Sequence, residues 1–167
     1  MWKILCPNQY VESVQQVDLD ELKEHGLDGI IVDLDNTLVP WNESTILPEV
    51  KDWIIKAKSY GFGVCIVSNN NPGRGEVLSE AFEIPAVWKA VKPRRGAFRR
   101  ALNILNLQAC QVAVIGDQVF TDILGGNRLG LYTILVRPLQ EREFFGTRLM
   151  RQLEKLILFY LKRRGNL

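Results

Sequence analysis

Four short apolar runs stand out along the chain: Gly29 to Leu34, Gly63 to Val67, Gln111 to Ile115 and Leu131 to Val136. They are rich in Ile and Val and lack polar alternation, the pattern of strands buried on both faces. Between them the spacing of apolar residues becomes helical. Pro48 to Tyr60 opens with proline and Glu49 in its first turn and stops at Gly61, and further helical stretches follow at Arg74 to Phe82, Arg95 to Leu105 and Phe120 to Leu129. This alternation predicts an α/β fold of Rossmann-like type, with right-handed crossovers, a mostly parallel sheet and helices on both faces. The first 28 residues are more weakly patterned and predict only a strand or loop and a short helix around Leu19 to Glu24.

Sheets of this class bind ligands beyond the carboxyl ends of their strands, so the residues just after each run carry the most information. They are Asp33-Leu34-Asp35-Asn36-Thr37 after the first, Ser68-Asn69-Asn70 after the second, Lys92-Pro93 before the third long helix, and Gly116-Asp117 through Asp122 after the third run. Asp33 and Asp35, two apart at a strand end, start on the same face, where their charges repel unless a cation sits between them. With Asp117 and Asp122 they make a hard, all-oxygen donor set suited to magnesium. Asn36, Asn69 and Asn70 fit a loop-shaping role and a substrate or metal-shell role equally well.

Composition narrows the picture. With 167 residues and 47% hydrophobic content the chain predicts one domain with a continuous core, and excludes disorder, a collagen-like fibre and a disulfide scaffold. Cys6, Cys65 and Cys110 have no zinc or redox spacing and read as reduced thiols of a cytoplasmic protein, Cys65 as a small buried hydrophobe. The single histidine, His25, precedes Gly26 and reads as a helix-end cap. The apolar part of the N-terminus is too short for a secretory signal, and no run reaches the roughly 20 apolar residues of a membrane span.

An aspartate is ionised at neutral pH and can act as a nucleophile, but a phosphate dianion repels it. A divalent metal removes that obstacle and aligns an in-line attack, while a lysine and hydroxyl groups cradle the phosphoryl oxygens. Lys92, Ser68 and Thr37 supply those groups, and Asp35 can protonate the departing oxygen and later deprotonate water.

The DxDxT at Asp33, Asp35 and Thr37, Ser68, Lys92, and the GDxxxxD at Asp117 and Asp122 resemble, in order and spacing, the four motifs of the haloacid dehalogenase (HAD) phosphatases. The fuller text, DLDNTLVPW, VSNN, KP and GDQVFTD, is similar to the YqeG branch of the IIIA-type HAD phosphatases, whose eukaryotic relatives are phosphatidylglycerophosphate phosphatases of mitochondria and plastids. The resemblance implies catalytic roles for Asp33, Asp35 and Lys92 and substrate contacts at Thr37, Ser68, Asn69 and Lys92. It implies Mg2+ held by Asp33, the Asp35 carbonyl and Asp117, with Asp122 supporting the metal or holding Lys92.

The spacing leaves little room for the cap domain that small-molecule HAD phosphatases carry, so water exclusion falls to a large or surface-embedded substrate. Residues 1–136 read as the capless domain, with its motif core at 29–136, and residues 137–167 as a basic amphipathic C-terminal helix. That tail holds eight Lys or Arg and three Glu, whereas the chain before it is net acidic. Phe145, Leu149, Leu153, Leu156 and Tyr160 fall at helical spacing, a stripe that fits an anionic membrane surface and packing on the domain equally well.

The expectation is therefore a Mg2+-dependent phosphatase acting on a phosphorylated membrane phospholipid, cytoplasmic and peripheral to the membrane. A phosphatase for a nucleic-acid end or a phosphoprotein is the alternative enzyme. A non-catalytic protein that binds phosphate or an anionic membrane is the alternative of another class.

Overall fold

The alternation of the strands divides the apolar residues between two cores. Ile30 and Val32, Val64 and Ile66, and Ala113 and Ile115 point into one, while Ile31, Cys65 and Val67, and Val112 and Val114 point into the other. The interiors of Gly29–Val32, Gly63–Val67 and Val112–Gly116 are therefore buried on both faces, which is why these segments read as unbroken apolar runs. The computed structural model describes residues 2–41, 43, 45–140, 152–154 and 156–157.

Six parallel strands form one sheet in the order β1-β6-β5-β2-β3-β4, with β1 at Gln9–Val11, β2 at Gly29–Val32, β3 at Gly63–Val67, β4 at Ala86–Val87, β5 at Val112–Gly116 and β6 at Tyr132–Val136. The helices are α1 (Leu19–Glu24), α2 (Pro48–Ser59), α3 (Gly73–Ala81), α4 (Arg95–Leu105) and α5 (Leu124–Asn127). Trp53, Ile54 and Ala57 of α2 and Leu78 of α3 enter the first core, whereas Ala97, Phe98 and Ala101 of α4 enter the second. The chain runs outward from β2 through β3 to β4, then returns to the other side of β2 as β5 and β6. The cleft at the carboxyl end of β2 lies at this reversal, where α/β sheets place ligands.

Two weakly patterned segments prove to be structured. Gln9–Val11 is an edge strand paired with β6, and α1 is capped by Asp18, whose carboxylate accepts from the N–H of Asp20 and Glu21. His25 sits at the C-cap of α1, and its Nδ1 donates to the Glu21 carbonyl at 2.8 Å. The segment expected to be one helix from Phe120 to Leu129 instead begins with a π-helical turn, Val119–Ile123, followed by α5. Among the described residues no helix is long and apolar enough to cross a membrane. Most of the expected C-terminal helix lies outside the described residues; 152–154 and 156–157 are helical.

Candidate active site

Each catalytic candidate leaves its strand at the same edge of the sheet. Asp33 follows β2, Ser68 follows β3 and Asp117 follows β5, while Lys92 comes from the loop after β4 and Asp122 from the π-helical turn. One carboxylate oxygen from each of Asp33, Asp117 and Asp122 lies within 4.8 Å of the other two, and all three residues are buried. Lys92 Nζ donates to Asp33 Oδ1 at 2.6 Å and to Asp122 Oδ1 at 2.7 Å.

The loop carrying Lys92 is held to the loop after β3. Lys89 N–H donates to the Asn70 carbonyl, Ala90 N–H to the Ser68 carbonyl, and Lys92 N–H to Asn69 Oδ1 at 2.7 Å. Lys89 and Val91 both adopt left-handed backbone, with φ of 49° and 56°. For a β-branched residue such as Val91 this conformation is strained, and the cross-loop hydrogen bonds hold it. Asn69 is thus tied to loop shape. Asn36 is as well: it is left-handed at φ 60°, its N–H donates to the Val39 carbonyl, and its Oδ1 accepts from Trp41 N–H at 3.2 Å. Asn70 differs, because its Nδ2 donates to Asp35 Oδ2 at 2.6 Å, in position to orient that carboxylate.

Asp122 is fixed from both sides. While Oδ1 receives Lys92, Oδ2 accepts from Gln118 N–H at 3.3 Å and from the Thr121 hydroxyl at 3.1 Å. Gly116 makes room for it, since a Cβ at that position would fall on the Asp122 side chain. Of the two roles open to Asp122, these bonds favour holding Lys92. The Asp35 carboxylate is outside the three-carboxylate group, and the expected ligand there is its backbone carbonyl. Thr37 is buried, its hydroxyl has no hydrogen-bond partner among the described residues, and it does not line the cleft.

Burial pushes the Asp33 carboxyl up to about 7, and the Asp122 charge adds to this while Lys92 opposes it. Burial also disfavours the Lys92 ammonium, but the carboxylates of Asp122 and Asp33 outweigh that and hold its pKa above the ordinary lysine range. Lys92 is therefore cationic at every physiological pH. With Asp33 ionised, as a nucleophile must be, three clustered carboxylates and one ammonium leave two formal negative charges buried together, and burial resists that state. A divalent cation balances that charge, and the all-oxygen donor set suits a hard one. The residues fit such a cation, since Asp33, Asp117 and Asp122 each offer it a carboxylate oxygen.

The cleft above this group has a volume of about 270 Å³ and is lined by Asp33, Asp35, Asn36, Ser68, Asn69, Asn70, Lys92, Trp41, Gln118 and Thr121. The last three were not among the sequence candidates. Gln118 and Thr121 lie inside the GDxxxxD spacing, so their position was the available signal. Trp41 reads as a packing residue or an interfacial anchor until the turn around Asn36 is seen to bring it to the cleft.

A HAD hydrolase-like family model matches residues 90–138. The chain is 44% identical over 165 residues to the Probable phosphatase YqeG of Bacillus subtilis, an alignment covering 99% of this chain and 96% of that protein. It is 27% identical to Phosphatidylglycerophosphate phosphatase 1, chloroplastic/mitochondrial, of Arabidopsis thaliana, over 96% of this chain but 48% of that longer protein. Among solved structures, the cobalt-bound deoxy-D-mannose-octulosonate 8-phosphate phosphatase of Haemophilus influenzae superposes with a TM-score of 0.52 at 15% identity, covering 86% of this chain and 92% of that one. At that identity the likeness is one of fold.

Proposed function

This chain belongs to the YqeG family of HAD phosphatases, and from that premise we propose that it removes the terminal phosphate of phosphatidylglycerophosphate, with Mg2+ as its cation and Asp33 as its nucleophile. The observation that carries the chemistry is the convergence of Asp33, Asp117 and Asp122, two of which, Asp33 and Asp122, bond the buried Lys92 ammonium.

In this reading an Asp33 carboxylate oxygen attacks phosphorus, the bond from phosphorus to the lipid oxygen breaks, and Asp35 protonates the departing alkoxide. Asp35, now a carboxylate, takes a proton from water as the water oxygen attacks the aspartyl phosphate. The phosphorus bond to Asp33 breaks, and inorganic phosphate leaves. Lys92 spends two of its three N–H donors on Asp33 and Asp122, which leaves one for a phosphoryl oxygen. Ser68, at the mouth of β3, lines the same cleft and offers a hydroxyl. Asp33, Asp117 and the Asp35 carbonyl would hold a divalent cation, which would neutralise charge on the attacking carboxylate and the phosphate.

The lipid is supported by the name of the Arabidopsis relative and by the open cleft. The described residues between β2 and α2 form only a loop, and those between β3 and β4 form α3 and its flanking turns, so neither carries an inserted cap. A phosphate on a membrane lipid can reach such a site, with residues 1–136 as the catalytic domain and the basic segment 137–167 facing the anionic surface.

The test is phosphate release from phosphatidylglycerophosphate in mixed micelles, compared with soluble sugar phosphates, nucleotides, polynucleotide ends and phosphopeptides, with and without Mg2+. The reading expects preferred release from the lipid, lost on chelation and in Asp33→Asn. Release from polynucleotide ends or phosphopeptides but not from the lipid moves the substrate to that class, and sustained turnover by Asp33→Asn rejects the nucleophile.

A further inference from the structure

The turn that carries Asp122 is completed by a residue far along the chain. Glu154 is 4% exposed, and its Oε1 accepts from the backbone N–H of Phe120 at 3.3 Å. Phe120 is the second residue of the π-helical turn Val119–Ile123, one of the N-terminal positions whose N–H has no partner within the turn itself. A carboxylate there satisfies the donor and interacts favourably with the positive end of the turn. The neighbouring apolar side chains point the other way: Leu153 is 45% and Leu156 66% exposed. The described part of the C-terminal segment thus meets the domain through a buried acid, and not through its apolar stripe.

Asp122 takes its place from that same turn. Its Oδ2 is held by Gln118 N–H and the Thr121 hydroxyl, two residues before and one after Phe120, and its Oδ1 holds Lys92. We infer that Glu154 is a positioning residue for the reaction: by capping the π-helical turn at Phe120 it fixes Asp122, and through Asp122 the Lys92 ammonium. This makes the C-terminal segment a structural part of the phosphate site. The inference rests on the phosphatase reading for its kinetic consequence, while the contact itself is independent of reaction class.

Two measurements on the full chain test it. Backbone amide exchange at Phe120 is slow in the wild-type protein and faster in Glu154→Ala, whatever reaction is catalysed. With p-nitrophenyl phosphate and Mg2+, Glu154→Ala lowers kcat by about 10–100-fold, the range typical when a partner one step behind a ligand is lost. Glu154→Gln keeps the accepting oxygen and restores most of that loss. Leu153→Ala, on the same turn of helix but exposed, leaves the rate on this soluble substrate unchanged. Because Glu154 acts through Asp122, Glu154→Ala added to Asp122→Asn costs little beyond Asp122→Asn alone, whereas general destabilisation would lower both backgrounds equally. Unchanged Phe120 exchange in Glu154→Ala, or a full and additive loss in the Asp122→Asn background, overturns the inference. A wild-type protein that releases no phosphate from any ester, with Phe120 exchange still dependent on Glu154, overturns the phosphatase reading and leaves the contact standing.

Discussion

Lys92→Met removes one charge from the most densely charged part of the interior and keeps the length of the side chain. In the wild-type protein the Lys92 ammonium bonds two buried carboxylates, at 2.6 Å to Asp33 and 2.7 Å to Asp122, with Asp117 in the same group. Without it three carboxylates face one another with no cation. Breaking a buried pair by removing one partner costs about 3–5 kcal/mol, because the remaining charge keeps its desolvation penalty and loses its compensation. For a chain of this size 1 kcal/mol corresponds to about 2–4 °C, so the melting temperature in EDTA should fall by about 6–20 °C.

The sign of two further changes distinguishes electrostatics from lost packing. Adding Asp122→Asn to Lys92→Met removes one of the repelling charges and restores part of the lost stability, although it deletes a second buried polar partner. Millimolar Mg2+ raises the melting temperature more in Lys92→Met than in wild type, since a ligand stabilises in proportion to its affinity for the folded state and the variant offers a more negative site. Differential scanning fluorimetry of the three proteins, with and without the cation, reads these differences. A Lys92→Met protein melting within about 2 °C of wild type in EDTA would refute the charge-compensation argument.

Gly116→Ala puts a methyl group onto the pinned Asp122 side chain. Overpacking of this kind costs about 1–3 kcal/mol, and phosphate release should fall together with thermal stability because Lys92 loses its anchor. Val91→Asn replaces a strained β-branched residue by one that tolerates left-handed backbone, at an exposed position. It should raise the melting temperature by about 2–4 °C for each kcal/mol of strain relieved, and a lower melting temperature would count against strain at Val91. Burial pushes the Cys65 thiol up to about 12, so at about pH 8 only about one molecule in ten thousand carries the thiolate. Iodoacetamide followed by peptide mass spectrometry should label the exposed Cys110 in the native protein and Cys65 only after denaturation. Because the folded value is raised, the Cys65 contribution to stability is complete below the ordinary thiol range and is lost as pH rises through about 12.

The strands and long helices were legible because burial on both faces leaves no polar residue in β2, β3 or β5, and each apolar run ends where the chain must meet water or a ligand. The carboxylates were legible for the same reason, since Asp33 and Asp117 stand at the first positions past the core. The edge strand Gln9–Val11 was harder to read, because its residues are only half-buried and its partner β6 is more than a hundred residues away. The π-helical turn was hidden because an extra residue in a turn leaves the spacing of Val119 and Ile123 compatible with an ordinary helix. Trp41 was hidden because its direction is set by the left-handed Asn36, a conformation that the sequence permits and does not require.

The tail carries the same lesson to function. Its stripe of Leu, Phe and Tyr invites a choice between a membrane surface and the domain, as though one face had to serve one partner. The described residues separate the two: a buried glutamate takes the domain, and Leu153 and Leu156 remain exposed. A segment so arranged can meet an apolar or anionic interface without giving up its contact with the turn that holds Asp122. On that geometry a shortened chain lacking residues 141–167 should lose rate on p-nitrophenyl phosphate, which needs no membrane, as well as on lipid micelles. A segment serving only as an anchor would cost the lipid reaction alone, and equal activity of the full and shortened chains on the soluble ester would show that the tail has no part in the site.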